Sequence, residues 1–140
     1  EHEKKHKMVH NDSHKFESNF VSLEIPKNNS VMFGSLSGTK LGVWVAHGEG
    51  KFEFPYEEKE YNIIAKYNYD GYPANPNGSP WSVAGVCSKD GRHLAMMPHP
   101  ERAIFPWQCG YYPADRKEND EVTPWIEAFV NARKWIENNK

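Results

Sequence analysis

The run of apolar residues from Leu41 to Ala46 is the feature that most constrains how this chain can fold. Continuous apolar character over so short a run is typical of a strand buried on both faces. The run leads directly into the turn 47–50, where two glycines permit close approach of the backbone to a ligand because they lack a Cβ. The stretch 93–97 leads into a polar turn in the same way. We therefore expect both turns to meet at one edge of a sheet, where binding and catalytic loops are common.

The chain contains many predicted strands and few predicted helices. Alternating or continuous apolar patterns predict strands at 20–25, 41–46, 51–54, 61–67, 82–88 and 93–97. A short helical piece is expected at 30–36, and loops are expected at 69–80 and 103–121. One long helix follows a capping Thr123 and Pro124, with apolar residues at helical spacing: Trp125, Phe129, Ala132 and Ile136. Because an α/β sheet needs helices on both faces, this count indicates either an α+β fold or an α/β domain whose helical half is missing.

Composition excludes several classes of protein. The 140 residues are enough for one domain with a core, and a net charge of −2 gives no electrostatic case for binding nucleic acid or an anionic membrane. No apolar run is long enough to span a membrane. Cys87 and Cys109 could pair, but nothing else indicates a disulfide framework, so we expect a reducing, cytoplasmic location. Residues 1–15 are polar and rich in histidine, and are predicted to be disordered or displaced from the domain.

The N-terminal histidines offer a weak case for metal binding. They recur every four residues, which on a helix would line one stripe that could bind zinc or nickel: His2, His6, His10 and His14. The segment 11–13, Asn-Asp-Ser, disfavours a helix where the stripe would have to continue. A solvated, unstructured segment is therefore the favoured interpretation, and no metal site is predicted.

The strongest candidate for chemistry is the pair His99 and Glu101, each preceded by a proline. In an extended backbone the side chains of residues two apart point the same way, so the carboxylate would lie beside the imidazole. Such a carboxylate selects the histidine tautomer and stabilises the imidazolium, as in a nucleophile–base–orienter triad. The alternative is a surface turn with an ordinary ion pair. Neither cysteine is a good nucleophile, because Cys87 lies within a predicted strand and Cys109 lacks a strand-to-helix elbow.

Four blocks of sequence carry a resemblance to a known family. They are 11–17 (NDSHKFE), 45–50 (VAHGEG), 73–80 (PANPNGSP) and 96–102 (MMPHPER). In this order they resemble the C-terminal glutamine amidotransferase domain of the large-type phosphoribosylformylglycinamidine synthases. The last helix, from Pro124 to Arg133, also resembles that family, and the likeness covers essentially the whole chain.

The resemblance implies a class I, triad-type amidotransferase with a flavodoxin-like α/β fold, acting in de novo purine biosynthesis. Such a domain hydrolyses glutamine through a cysteine thioester and passes ammonia to a synthetase domain that uses ATP and magnesium; no cofactor is expected in this chain. It implies that His99 is the base and Glu101 its orienter. It also implies that the backbone at Ala46, His47, Gly48 and Glu49 contacts glutamine. The role of the 75–79 loop is left open.

One part of the family pattern does not occur in this sequence. The nucleophile of the family lies in a Gly-x-Cys-Asn-Gly-x-Gln elbow, which these residues do not contain. We therefore expect the C-terminal part of an amidotransferase domain, strand-rich and inactive by itself, with exposed sheet edges that favour self-association. Two alternatives remain open: a non-catalytic, amidotransferase-like interaction module, and a small domain with a metal-binding histidine segment.

Overall fold

The computed structural model describes residues 7–139, which form seven strands and two helices. The strands are β1 (Lys7–Val9), β2 (Glu17–Glu24), β3 (Lys40–His47), β4 (Lys51–Glu53), β5 (Asn62–Tyr67), β6 (Val83–Cys87) and β7 (Leu94–Met96). The helices are α1 (Ala114–Lys117) and α2 (Ile126–Asn138). Each of the six predicted strand regions overlaps one of the strands β2–β7, so the strand-rich pattern with a C-terminal helix is confirmed.

The strands form two sheets. Five strands pair in the order β3-β2-β5-β6-β7, and β1 pairs with β4 in a separate two-stranded sheet. Every strand pair within residues 7–139 is antiparallel. The predicted Asp-Gly hairpin is present, because β6 and β7 pair from Gly85↔Met96 to Cys87↔Leu94.

The longest ladder joins β2 to β3 and carries much of the core. It runs from Glu17↔His47 to Glu24↔Lys40. Val43 and Val45 are fully buried on one face, whereas Trp44 is only half-buried on the other. The expectation that β3 is buried on both faces is therefore wrong, because the residues of the second face are only half-buried. Its outer face is apolar because Trp44 packs edge-on against Phe20, with ring centroids 5.0 Å apart.

Helix α2 packs on this sheet through its first turn. Trp125, immediately before the helix, is buried, and its indole N–H donates to the carbonyl of Gly42 (2.8 Å). Its ring meets Phe33 edge-on, with centroids 5.9 Å apart. Ala128 is fully buried, but Phe129 and Ile136 are 38% and 55% exposed. The predicted apolar stripe is thus buried only at its N-terminal end, where the helix lies against the core.

Three further differences separate the structure from the sequence prediction. Residues 7–15 of the segment expected to be displaced lie against the fold, because β1 pairs with β4 and Asn11 is fully buried; residues 1–6 lie outside the described part of the chain. The helical piece at 30–36 is only a 3₁₀ turn at Gly34–Leu36. The predicted loop 103–121 contains the short helix α1. None of the helices in residues 7–139 has the length and apolar character needed to cross a membrane.

Candidate active site

His99 and Glu101 are in direct contact. The Nδ1 atom of His99 lies 2.7 Å from Oε1 of Glu101. The segment is not extended as predicted: Pro100–Arg102 forms a 3₁₀ turn that brings the carboxylate back to the ring. Because a carboxylate only accepts hydrogen bonds, the proton resides on Nδ1 and the lone pair on Nε2. The His99 side chain is 29% exposed, so the ring is not sealed inside the core.

The strand β3 holds this pair in place. The N–H of His99 donates to the carbonyl of Trp44 (2.8 Å), which makes His99 a one-residue extension of the sheet beyond its edge. The indole N–H of Trp44 donates to the carbonyl of Gln108 (2.7 Å), so the same residue also fixes the next turn. Beyond the pair, Ala103 is fully buried and its carbonyl accepts the hydroxyl of Thr123. His99, the histidine of the His99–Glu101 dyad, is thus anchored through backbone on both sides, independently of its own side chain.

The turn after β3 is built around a buried histidine. His47 is 5% exposed, and its Nδ1 lies 3.1 Å from Oδ1 of Asn11. The amide nitrogen of Asn11 donates to the carbonyl of His47 (2.7 Å), and Oδ1 also accepts the N–H of Gly50 (3.0 Å). Asn11 therefore binds both ends of one turn, and its amide nitrogen also donates to the carbonyl of Lys15 (3.0 Å). Because Oδ1 is an acceptor, His47 carries its proton on Nδ1.

Burial is the main influence on the charge of this histidine. It lowers the pKa of His47, because the imidazolium would lose its hydration; nearby Glu17 raises that pKa and His99 lowers it. Glu17 is the cross-strand neighbour of His47. The buried Nε2 of His47 and Oε1 of Glu17 have no hydrogen-bond partner among residues 7–139. The electrostatic influence of His99 on this pKa indicates that the two imidazoles lie near each other.

The loop 75–79 holds the same turn from the other side. Asn77 is fully buried and donates through Nδ2 to the carbonyl of Gly50 (2.7 Å) and to the hydroxyl of Tyr67 (3.0 Å). The hydroxyl of Ser79 accepts the N–H of Phe52 (3.0 Å). Asn11 thus binds the N–H of Gly50 while Asn77 binds its carbonyl. Sequence reasoning gave neither asparagine this role, since each belongs to a polar block with no periodic signal.

The other predicted glutamine contacts have different surroundings. Ala46 is half-buried within β3, and the carbonyl of Gly48 accepts the N–H of Asn11 (2.9 Å). The carboxylate of Glu49 is exposed, 3.4 Å from Nε2 of His10. The structure therefore leaves the Glu49 side chain, but not that of His47, facing solvent.

Neither cysteine is an activated nucleophile. The thiol of Cys87 accepts a hydrogen bond from Nδ2 of Asn62 (3.0 Å), and burial raises its pKa. The thiol of Cys109 lies 3.7 Å from the carbonyl of Phe105, and burial raises its pKa as well. Catalytic cysteines require a lowered pKa, so the thiol form is favoured at both positions.

The described residues also bear on the metal hypothesis. His10 and His14 lie in the turn region after β1 and not on a helix, while His2 and His6 fall outside the described residues. Within residues 7–139, no group of three or more histidine, cysteine, aspartate or glutamate side chains is placed to hold a metal ion.

Comparison with known proteins places this geometry in context. The probable phosphoribosylformylglycinamidine synthase, chloroplastic/mitochondrial, of Arabidopsis thaliana is 43% identical over 145 residues, covering 94% of this chain and 10% of that protein. The phosphoribosylformylglycinamidine synthase of Homo sapiens is 43% identical over 140 residues, covering 91% of this chain and 10% of that protein. The chain thus spans about a tenth of the length of these relatives.

A solved structure confirms the fold class. A chain in the structure of PurLQS from Thermotoga maritima matches with a TM-score of 0.71 and 25% identity, over 95% of this chain and 54% of that chain. The predicted α/β amidotransferase fold is therefore confirmed. Residues 1–136 match the family described as the CobB/CobQ-like glutamine amidotransferase domain, which confirms the resemblance of the four sequence blocks. The chain belongs to the CobB/CobQ-like glutamine amidotransferase domain family.

Proposed function

We propose that this chain supplies the base and its orienter to a glutaminase site. The observation that carries the proposal is the 2.7 Å contact between Nδ1 of His99 and Oε1 of Glu101, which leaves Nε2 free to take a proton. His99 would remove the proton of a cysteine thiol, which attacks the side-chain carboxamide carbon of glutamine. His99 then protonates the departing ammonia, and water hydrolyses the glutamyl thioester to glutamate. Glu101 would keep the imidazole oriented and stabilise its charged form.

The nucleophile is proposed to lie outside these 140 residues. The raised pKa of Cys87 and of Cys109 argues against both, and the elbow that carries the family's cysteine does not occur in this sequence. The polypeptide is accordingly proposed to be inactive by itself, because loss of one triad member removes several orders of magnitude in rate.

The turn 46–49 is proposed to bind glutamine through its backbone. Support comes from the rigidity of the turn, which Asn11 and Asn77 hold from opposite sides, and from the electrostatic influence of His99 on His47. A turn fixed in this way presents its backbone N–H and C=O groups with little loss of conformational entropy when the substrate binds. Ala46, His47, Gly48 and Glu49 are the residues assigned to this role.

The wider activity is also a proposal, which rests on the names of the relatives. We assign the chain to a phosphoribosylformylglycinamidine synthase of de novo purine biosynthesis, a ligase in which the released ammonia reaches a synthetase domain. ATP and magnesium would act in that domain and not in this chain. The location is proposed to be cytoplasmic, in keeping with the two free cysteines.

Ammonia release from glutamine tests the site assignment. In the full-length natural protein that contains these residues, His99→Asn should lower glutaminase activity by about 10³-fold or more, and Glu101→Gln by about 10²-fold. His93→Asn is the matched control, because His93 is exposed on the β6–β7 turn, and it should keep the activity. The 140-residue chain alone should release no ammonia. Turnover by the chain alone, or by the His99→Asn protein at the normal rate, would refute the proposal.

A second candidate is a non-catalytic interaction module, which the exposed aromatic side chains favour. Phe105 and Trp107 stack with ring centroids 6.0 Å apart, yet are 41% and 73% exposed. Together with the open edge at β7, this surface supports the proposal that the chain self-associates. Light scattering across a range of concentrations tests self-association, and a monomer at every concentration would contradict it. Glutaminase activity that is lost in His99→Asn would favour the catalytic function over the interaction module.

A further inference from the structure

A cleft of about 680 Å³ opens between the two sheets, in a part of the molecule that the dyad does not use. Its lining comes from β1, β4, β6, β7 and the segment before β5. None of the dyad residues or the residues of the turn 46–49 contributes to it. The volume lies in the range of small-molecule sites, which are usually apolar with a few polar groups that fix orientation.

One wall of the cleft is an array of aromatic rings. Phe52 and Phe54 are stacked, with centroids 5.3 Å apart and an angle of 10° between the planes. Phe54 also stacks on Trp81 (5.5 Å, 21°) and lies 4.4 Å from the ring of Tyr61. Because aromatic rings also pack edge-on, such a wall can hold a further planar ring.

The floor of the cleft is apolar and flat. Val86 on β6 and Ala95 on β7 are directly paired across the hairpin, so their side chains lie on the same face. Val86 is half-buried and Ala95 is exposed, although both line the cleft. A cross-strand pair of small apolar side chains gives a surface against which a planar ligand would bury its second face.

Two lysines and one carboxylate line the cleft. They are Lys7, Lys89 and Glu60, and Lys7 is also the cross-strand neighbour of Glu53. No ion pair joins either ammonium group within residues 7–139, whereas other lysines of the chain, such as Lys51, pair with carboxylates. Ammonium groups that are held in no ion pair and lie beside an apolar site favour an anionic group on the ligand.

We propose that this cleft binds a small molecule that combines a planar aromatic ring with an anionic group. The ring packs between the aromatic wall and the pair Val86 and Ala95, while the anion lies near Lys7 and Lys89. A nucleoside monophosphate and an aromatic carboxylate share this chemistry. The site is separate from glutamine hydrolysis and does not depend on the function proposed above.

Calorimetric titration with two matched pairs of probes tests the proposal on the purified protein. The pairs are adenosine 5′-monophosphate against adenosine, and 2-naphthoate against 2-naphthamide. At least one anion should bind saturably with one molecule per chain, and its neutral partner should bind about fivefold more weakly or not at all. Tighter binding of the nucleotide or of the naphthoate identifies the source of the ligand. If neither anion binds, or if the neutral partners bind equally well, the proposal is wrong.

Three variants locate the binding. Lys89→Gln should weaken the anion about three- to fivefold, whereas Lys40→Gln, an exposed lysine on β3 remote from the lining, should have no effect. Ala95→Phe places a ring on the exposed floor and should abolish binding without loss of folding, which thermal unfolding checks. Unchanged affinity in Lys89→Gln or Ala95→Phe would overturn the assignment. So would loss of binding in the full-length natural protein, because another segment would then cover the cleft.

Discussion

Replacement of Asn11 by alanine should remove a large part of the stability of this chain. Asn11 is fully buried, and its side chain makes three buried hydrogen bonds: with the carbonyl of His47, with Nδ1 of His47 and with the N–H of Gly50. A fourth, partly buried bond goes to the carbonyl of Lys15. Alanine leaves all of these groups in place without a partner. The loss in the free energy of unfolding is therefore estimated by adding the cost of each buried polar group that is left without a partner.

Each buried polar group left without a partner costs about 1–3 kcal/mol. Three such groups give a minimum of about 3 kcal/mol, and water that enters the polar space left by the amide would relieve part of any larger cost. We expect the free energy of unfolding to fall by about 3–5 kcal/mol, against the about 5–15 kcal/mol that is typical of a whole domain.

Urea unfolding followed by tryptophan fluorescence measures this loss. Asn131→Ala is the matched control, because Asn131 also donates twice, to the carbonyl of Met32 (3.1 Å) and to the hydroxyl of Ser35 (2.7 Å), but near the surface. The control should lose about 1 kcal/mol or less. A loss below about 1 kcal/mol for Asn11→Ala, or one equal to that of the control, would refute the argument from orphaned groups.

Asn11→Asp separates the acceptor role of this side chain from its donor role, and it serves if the alanine variant does not fold. Aspartate keeps an oxygen for the N–H of Gly50 and for Nδ1 of His47, but turns a second oxygen toward the carbonyls of His47 and Lys15. Its negative charge should raise the pKa of His47 toward or above the ordinary value, because it stabilises the imidazolium. An NMR titration of the imidazole checks this, and an unchanged pKa would contradict the assigned contact.

Three further perturbations have defined outcomes. Burial holds the pKa of His47 below its ordinary value of 6.5, so below that pH the unfolded chain binds a proton that the folded chain does not, and the free energy of unfolding should fall as the pH drops through about 6.5. His47→Gln should reduce this pH dependence, measured as the midpoint of urea unfolding at several pH values. An unchanged pH dependence would contradict the prediction. Gly50→Ala should cost about 1–3 kcal/mol, because the new Cβ would overlap the ring of His47, while Gly34→Ala, with its nearest neighbour 3.5 Å away, should change stability by less than about 0.5 kcal/mol. Equal effects of the two alanines would argue against the tight packing of the turn. Thr123→Val removes a buried bond to the carbonyl of Ala103 and should cost about 1–2 kcal/mol in thermal unfolding, with partial rescue by serine; equal loss in both variants would contradict it.

Much of the local structure could be predicted from the sequence. The six strand regions follow from apolar patterns, and the turn between β6 and β7 follows from its Asp-Gly pair. The contact between His99 and Glu101 was also predicted, although through an extended segment and not the 3₁₀ turn that forms. These features depend on residues close together in the chain, where spacing and backbone preference decide the geometry.

The burial of β3 shows where such reasoning stops. The apolar run 41–46 predicted a strand covered on both faces, yet Trp44 and Ala46 on the second face of β3 are only half-buried. Trp44 is apolar there because it packs on Phe20 and donates to the carbonyl of Gln108, 64 positions along the chain. An apolar side chain predicts that it will be covered, but its position in the sequence does not show which element covers it or from which side.

By itself, the sequence determined the strand-rich pattern, the pairing of His99 with Glu101 and the family. Only the tertiary structure decided that Asn11 and Asn77, 39 and 27 positions from Gly50, bind its N–H and its carbonyl and so fix the turn beside the dyad. The physical reason is range. Helical and strand periodicities are set by neighbours along the chain. A buried side-chain amide acquires its partners only when the sheets pack, because backbone N–H and C=O groups that lose contact with water then need hydrogen-bond partners from distant parts of the chain.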